Sequence, residues 1–210
     1  MNIAVIAANG RLGRVFVEEA LKAGHSVRAG VRHAGSLTPA ANLEVLICDA
    51  TKPEDLSNLI ANQDVVVSAI GHVKSSTPDV QTVATSNLIS VMNELGMTRY
   101  VDVTGTGVRF AGDKITLIDR VLNLGVQIVD PSRVKDGRDH QELLKGSGLD
   151  WTTIRILKLQ DVSPRPFELT LHGPTKIYVG RRDVAAAMLQ VIEQHSFIRQ
   201  APILSRPSHD

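Results

Sequence analysis

The residues Asn9-Gly10-Arg11-Leu12-Gly13 have the types and spacing of a turn that receives a phosphate. A short apolar run, 3–6, precedes them, and a helical pattern follows in which Val15, Ala20 and Leu21 are set among Arg14, Glu18, Glu19 and Lys22. A helix leaves its first amide N–H groups without partners, and its dipole favours an anion at that end. Glycine lets the backbone approach the anion with no Cβ in between. The pattern falls short of a complete G-x-G-x-x-G, because Ala7 and Ala8 stand before Gly10. Taken alone, the same five residues also suit an ordinary β–α turn of a parallel sheet.

Further residues capable of chemistry close other apolar runs. Arg32 follows the run 26–31, about twenty residues past the glycines, where an acidic residue would accept from the 2′-hydroxyl of NAD. An arginine there suits a 2′-phosphate instead, which a guanidinium can grip with two parallel bonds. Arg11 could face that phosphate from the other side. The expected cofactor is therefore NADP, with NAD possible, while an exposed loop arginine is the plainer reading of Arg32. Asp49-Ala50 end the run 43–48, and Asp49 could accept from an adenine amino group or cap a turn. Ser68, Ala69 and Gly71, at the end of the run 64–70, are small enough to let a nicotinamide ribose lie against the backbone. Thr104 and Thr106, interleaved with glycines after the run 100–103, mark the edge where a substrate carbonyl would lie beside the nicotinamide.

Two histidines are candidate acids. His72 comes just after the fourth run; His140 sits in a polar helical segment, 135–142, where a lone histidine is more often at the surface. Asn87 is polar at mid-helix and either faces solvent or holds the backbone of neighbouring loops. No Tyr-x-x-x-Lys occurs, no His, Asp or Glu pair has metal-ligand spacing, and no Gly-x-Ser-x-Gly is present for a serine nucleophile.

The elements that must position these residues alternate along the chain. Strands are expected at 3–6, 26–31, 43–48, 64–70, 100–103 and 151–156, with two shorter runs at 167–171 and 176–179 and an extended piece near Ile203-Leu204. Helices are expected after the glycine turn, after Thr51 as N-cap, and over 79–95, 113–124, 133–145 and 182–194, with a short apolar run at 126–129. Strands alternating with helices predict a three-layer α/β/α fold built on one doubly wound parallel sheet with right-handed crossovers. The expected organisation is a single Rossmann domain over 1–210, with residues 157–180 as a small substrate-side extension. Aromatic residues are only 3% of the chain, so the core must come from Val, Ile, Leu and Ala, as buried parallel strands require. A net charge of +1 argues against a nucleic-acid surface, and no apolar stretch is long enough to span a bilayer. Cys48 is the sole cysteine, which leaves no intrachain disulfide and no CxxC site. An N-terminus running straight into a strand leaves no room for a signal peptide, so the expected location is cytoplasmic.

The ordered set resembles the atypical short-chain dehydrogenase/reductases. Asn9-Gly10-Arg11-Leu12-Gly13 is similar to their Gly-Ala-[Thr/Ser]-Gly-x-x-Gly turn, with Ala7 at the first glycine. Val31-Arg32, Asp49-Ala50, Asp64 to Ser68 and Asn87-Leu88 fall where that family has counterparts. Gly148-Leu149-Asp150-Trp151-Thr152-Thr153-Ile154-Arg155 resembles its Ser-Gly-Leu-x-[Tyr/Trp]-Thr-x-x-Arg-Pro segment, with Ile156 in place of the proline, and Arg182-Asp183-Val184-Ala185 resembles the start of its late helix. Length and segment order are most similar to the compact NAD(P)H-binding members, the biliverdin-IXβ reductase/flavin reductase-like and NmrA-like proteins.

The resemblance implies a Rossmann-type fold and a bound nicotinamide nucleotide. It implies that Gly10, Arg11, Leu12 and Gly13, with Asn9, hold the pyrophosphate; that Arg32 meets the 2′-phosphate and Asp49 and Ala50 the adenine; and that Ala69, Ile70 and Gly71 line the cofactor's middle, with Thr104 near the nicotinamide. The expected activity is NADPH-dependent hydride transfer to a flavin, quinone or similar flat small-molecule acceptor, with Thr104 and His72 as the catalytic candidates. The alternative is a non-catalytic NADP(H)-sensing regulatory protein of NmrA-like type. Neither nucleic acid, membrane nor metal is an expected partner, and the protein is expected to be a monomer or homodimer.

Overall fold

Apolar runs of four to seven residues become parallel strands in this protein because helices cover both faces of the sheet, so its central strands are buried on both sides. The structure, a computed structural model, describes residues 1–73, 75–105, 107–110, 112–113, 124–125, 130–172 and 178–205. Ten strands are described: β1 (Asn2–Ile6), β2 (Ser26–Val31), β3 (Leu43–Ile47), β4 (Val65–Ser68), β5 (Arg99–Gly105), β6 (Asp150–Ile156), β7 (Lys158–Gln160), β8 (Glu168–Thr170), β9 (Tyr178–Gly180) and β10 (Ile203–Ser205). The helices are α1 (Arg11–Lys22), α2 (Pro53–Ile60), α3 (Val80–Glu94), α4 (Pro131–Gly146) and α5 (Arg181–Glu193).

Eight strands form one sheet in the order β3-β2-β1-β4-β5-β6-β10-β8. The first seven run parallel, and β8 alone pairs antiparallel, Ile203 facing Thr170. This is the Rossmann order, with strand order reversing between β1 and β4, and ligands of such sheets bind outside the carboxyl ends at that reversal. Alternation along β1 sends Ile3 and Val5 to one core and Ala4 and Ile6 to the other. The first core lies under α1 and α5, with Phe16, Val17 and Val184; the second lies under α2, α3 and α4, with Leu59, Met92 and Leu144.

Three details differ from the pattern read along the chain. The final part of the sheet is mixed, because β8 returns antiparallel beside β10. Strand β7 was not foreseen; at three residues it is too short to show alternation, and it pairs with β9 in a separate two-stranded sheet. The N-cap of α2 is Lys52 rather than Thr51, whose hydroxyl donates instead to Asp49 Oδ1 at 2.8 Å. The expected helix over 113–124, apart from residues 113 and 124, and the whole run 126–129 lie outside the described residues, as do residues 176 and 177 of the run that ends in β9. No helix among the described residues is long and apolar enough to cross a membrane.

Candidate functional site

The turn after β1 is shaped by Ala7, which adopts φ +58, a left-handed conformation that glycine takes without cost. Its carbonyl accepts from Gly10 N–H at 2.9 Å, and Ala8 N–H donates to Gly30 on β2 at 3.0 Å. The first bond of α1 runs from Arg14 N–H to the Gly10 carbonyl at 2.9 Å. The amides of Arg11, Leu12 and Gly13 are therefore the helix's orphan donors. No side chain caps this end, and its first turn carries no acidic residue. An anion placed there meets three N–H groups, the positive end of the dipole and no opposing charge.

The five motif residues divide their work. Gly10 is exposed beside the orphan amides. Gly13 is a packing glycine: a Cβ on it would lie 2.3 Å from the Ala7 carbonyl oxygen. The Leu12 side chain is buried in the core under α1, so Leu12 presents only its amide to the turn. Asn9 accepts from Arg14 Nε through its side-chain oxygen at 2.7 Å, and Arg14 also donates to the Ser36 carbonyl at 2.9 Å. Arg14 thus clips the glycine turn to the loop that follows β2. The chain alone marks Arg14 only as a charge on the exposed face of α1; its partner is 22 residues away.

Arg11 and Arg32 are both exposed at this edge. Asp49 accepts from Thr51 N–H at 3.0 Å and from the Thr51 hydroxyl, so of its two readings the geometry displays the turn cap. Those bonds hold the Asp49 carboxyl below the usual range, with the charges of Lys52 and Arg32 adding to the effect. The Ala50 carbonyl accepts from Asn87 Nδ2 at 3.4 Å, so Asn87 ties α3 to this loop.

At the end of β4, Ala69 N–H donates to Ile6 and the Ile70 carbonyl accepts from Gln81 Nε2 at 2.9 Å. Gly71 has open space where a Cβ would stand. His72 is already engaged: its Nε2 lies 2.9 Å from Asp136 Oδ2 and 3.2 Å from the Pro78 carbonyl. Thr104 is buried at the end of β5, its hydroxyl oxygen 3.2 Å from where a Cβ on Gly137 would sit. The absence of a side chain at Gly137 lets α4 approach β5 closely at this point.

The segment 135–142, read from the chain as solvent-facing, turns a polar face inward. Asp136, Gly137, His140 and Gln141 on α4 are all buried, and His140 is only 1% exposed. Hydrophobic periodicity misses such a helix, because its inward stripe carries groups that hydrogen-bond each other. Asp136 caps α3 from the neighbouring helix, accepting from Gln81 N–H at 2.9 Å and Thr82 N–H at 2.8 Å. His140 Nδ1 lies 3.1 Å from the Asp136 carbonyl, which can only accept, so that nitrogen carries a proton. His140 Nε2 lies 3.2 Å from Asp102 Oδ2 on β5 and 3.0 Å from Gln141 Nε2. Burial pushes the His140 imidazole down, but the hydrogen bond and charge of Asp102 outweigh it and leave its pKa raised. Tyr100, whose hydroxyl is 3.4 Å from Asp102 Oδ2, is raised well above its ordinary value by burial and by that carboxylate.

Arg155, in the segment that carries the family resemblance, is a buried anchor. It forms two bonds to Asp113, at 2.6 and 2.8 Å, and donates to the Ala201 carbonyl at 2.8 Å and the Leu171 carbonyl at 2.9 Å. It therefore holds the segments after β5, β8 and α5 against the end of β6. Among the described residues no group of three or more His, Cys, Asp or Glu is placed to hold a metal ion.

The uncapped, acid-free start of α1, the exposed Gly10 and the open space at Gly71 make a cradle that suits a dinucleotide. Residues 7–195 match a family model described as NAD(P)H-binding. The chain is 26% identical over 231 residues to "Protein TIC 62, chloroplastic" of Pisum sativum, covering 96% of this chain and 40% of that protein. It thus spans well under half the length of that relative. It is 28% identical over 202 residues to the protein YwnB of Bacillus subtilis (strain 168), with 92% of each covered. Among solved structures it superposes on ChuY, titled an anaerobilin reductase from Escherichia coli O157:H7, with a TM-score of 0.81 at 19% identity, over 100% of this chain and 99% of that one.

Proposed function

The chain belongs to the NAD(P)H-binding family, and on that premise we propose that it is an NADPH-dependent oxidoreductase reducing a flavin, quinone or similar flat conjugated acceptor. The observation that carries the reading is the start of α1, where three orphan amides meet no acidic side chain. In this reading the amides of Arg11, Leu12 and Gly13 hold the diphosphate, and Arg11 and Arg32 face the 2′-phosphate. Arg14 and Asn9 keep that wall in place, and Asp49 and Ala50 border the adenine. Ala69, Ile70 and Gly71 leave room for the nicotinamide ribose. When bound, the reduced nicotinamide supplies the hydride. Thr104 and residues 157–172, which follow β6, border the acceptor in this reading. The fold likeness to a reductase titled for a bilin supports a flat acceptor.

A second reading, a non-catalytic NADP(H)-sensing protein, is favoured by one observation: His72 is bound to Asp136 and Thr104 is buried against α4. Two measurements separate the readings. Steady-state oxidation of NADPH with riboflavin, FMN, quinones and a linear tetrapyrrole is expected to show turnover with at least one acceptor. Tight NADP binding without turnover on any of them would replace the reductase by the sensor. A thermal-shift series is expected to show NADP raising the melting temperature more than NAD; no shift with either would refute the cofactor site itself.

A further inference from the structure

Asp102, at the middle of β5, is level with Ser68 at the carboxyl end of β4, and His140 of α4 lies against it; in the reductase reading the nicotinamide rests above that end of β4. Beside them is a cavity of about 10 Å³, bordered by Ser68, Ile70, Tyr100, Asp102, Val103 and His140, which is room for one water molecule. Asp102, which borders this cavity, is 4% exposed, and its Oδ1 has no hydrogen-bond partner among the described residues. A buried carboxylate oxygen without a partner is costly, and a water bonded to it removes that cost. Both imidazole nitrogens of His140 face acceptors: Nδ1 the Asp136 carbonyl, Nε2 the Asp102 carboxylate. Gln141 Oε1 is also buried without a partner among the described residues, while its Nε2 faces His140 Nε2. Turning that amide over would aim Oε1 at His140 Nε2–H and at the Thr153 hydroxyl, which suits a doubly protonated ring.

We propose that the Asp102–His140 pair is the proton reservoir of the nicotinamide site, communicating with it through a water held in this cavity. Where the proton goes rests on the reductase reading. Hydride transfer gives the acceptor two electrons and one hydrogen and leaves it one proton short. The N–H bond at His140 Nε2 breaks, the water passes a proton to the acceptor heteroatom, and solvent returns a proton to the neutral ring. Asp102 and Gln141 are positioning residues for that ring. The titratable groups around His140 are Asp102 and Tyr100 on β5, Asp136 on its own helix, and His72, which reaches Asp136 from the loop after β4. The neighbouring side chains of α3 at the cavity, Gln81 and Thr85, carry no charge. The raised pKa of His140 accords with this arrangement.

The test does not depend on turnover. In ¹⁵N-histidine-labelled protein the His140 ring is followed by NMR from pH 5 to 9 in the NADPH and NADP⁺ complexes. The expected result is a doubly protonated ring at pH 7 with NADPH, and about a tenfold weaker hold on its proton with NADP⁺, whose nicotinamide is positive. Identical titrations in the two complexes, or a ring neutral throughout, overturn the proposal even in a protein that reduces acceptors. If no acceptor is reduced but the titrations differ, the reductase reading fails and the proton coupling stands. Where turnover is found, His140→Gln is expected to lower kcat about 100-fold, with the KM for NADPH unchanged and the solvent isotope effect lost. Asp102→Asn is expected to leave the protein folded while moving the pH profile of kcat; an unmoved profile counts against the pair.

Discussion

Gly13→Ala, compared with Gly10→Ala, separates packing from binding within one motif. The new methyl at position 13 would stand 2.3 Å from the Ala7 carbonyl oxygen and 2.9 Å from Ala8 Cα and its carbonyl oxygen, all backbone atoms. Relief requires α1 to retreat from β1 by about 1 Å, since unstrained heavy-atom contacts lie near 3.5 Å. The helix buries Leu12, Phe16 and Val17 against the sheet, together worth roughly 6 kcal/mol of apolar burial. A gap of that size forfeits a quarter to a half of the contact energy, so the expected loss is about 1.5–3 kcal/mol. For a chain of this length that is a fall in melting temperature of about 3–12 °C, read by calorimetry without cofactor. At position 10 the methyl would lie 3.1 Å from the same oxygen, on a residue with φ −65. Its stability cost should stay below about 1 kcal/mol, yet the methyl projects beside the orphan amides. NADP affinity is expected to fall at least about tenfold in Gly10→Ala. A Gly13→Ala protein melting within about 2 °C of its parent would refute the close helix–strand contact. A Gly10→Ala protein binding NADP normally would refute the placement of the diphosphate.

Other consequences follow from the same geometry. Arg32→Ala should weaken NADPH much more than NADH in fluorescence titrations, and equal loss for both would remove Arg32 from the 2′-phosphate. Asp113→Ala leaves the buried Arg155 guanidinium without its carboxylate and should cost about 3 kcal/mol in urea unfolding; an unchanged midpoint would show that the pair anchors nothing. Burial raises the Asp113 carboxyl but the Arg155 hydrogen bonds outweigh it, so its folded pKa lies below the unfolded one. Its contribution is full above the unfolded value, near 3.9, and is lost as pH falls through the folded one, so Asp113→Asn should flatten the acid limb of melting temperature against pH. The Cys48 thiol is pushed up to about 12, by burial first and then by Asp55 and Asp49. It should resist a disulfide reagent at pH 8 until the chain unfolds, and fast labelling of native protein would contradict its burial.

The sheet and the glycine turn that starts α1 were legible in the chain because each rests on local rules. Runs such as Val65-Val66-Val67 are apolar on both alternations, which only a doubly covered strand tolerates, and β2 appears over Ser26–Val31 as its alternation predicts. Gly10 and Gly13 mark the helix start without any knowledge of what surrounds them. Their different duties were not legible: only the carbonyl of Ala7, brought back over α1, makes one of them a packing glycine. Arg14 appears in the chain only as a charge within the α1 pattern; its partner, the Ser36 carbonyl in the loop after β2, is supplied by the fold. His140 was misplaced for the same reason at larger scale. A stripe of Asp136, Gly137, His140 and Gln141 reads as a solvated face, and it becomes an interior face only because Asp102, Thr153 and the start of α3 bring complementary groups to it. Periodicity reports what water would do to a face. Whether a polar face is satisfied by water or by protein is decided by segments far away in the chain, and here the tertiary structure decided for protein.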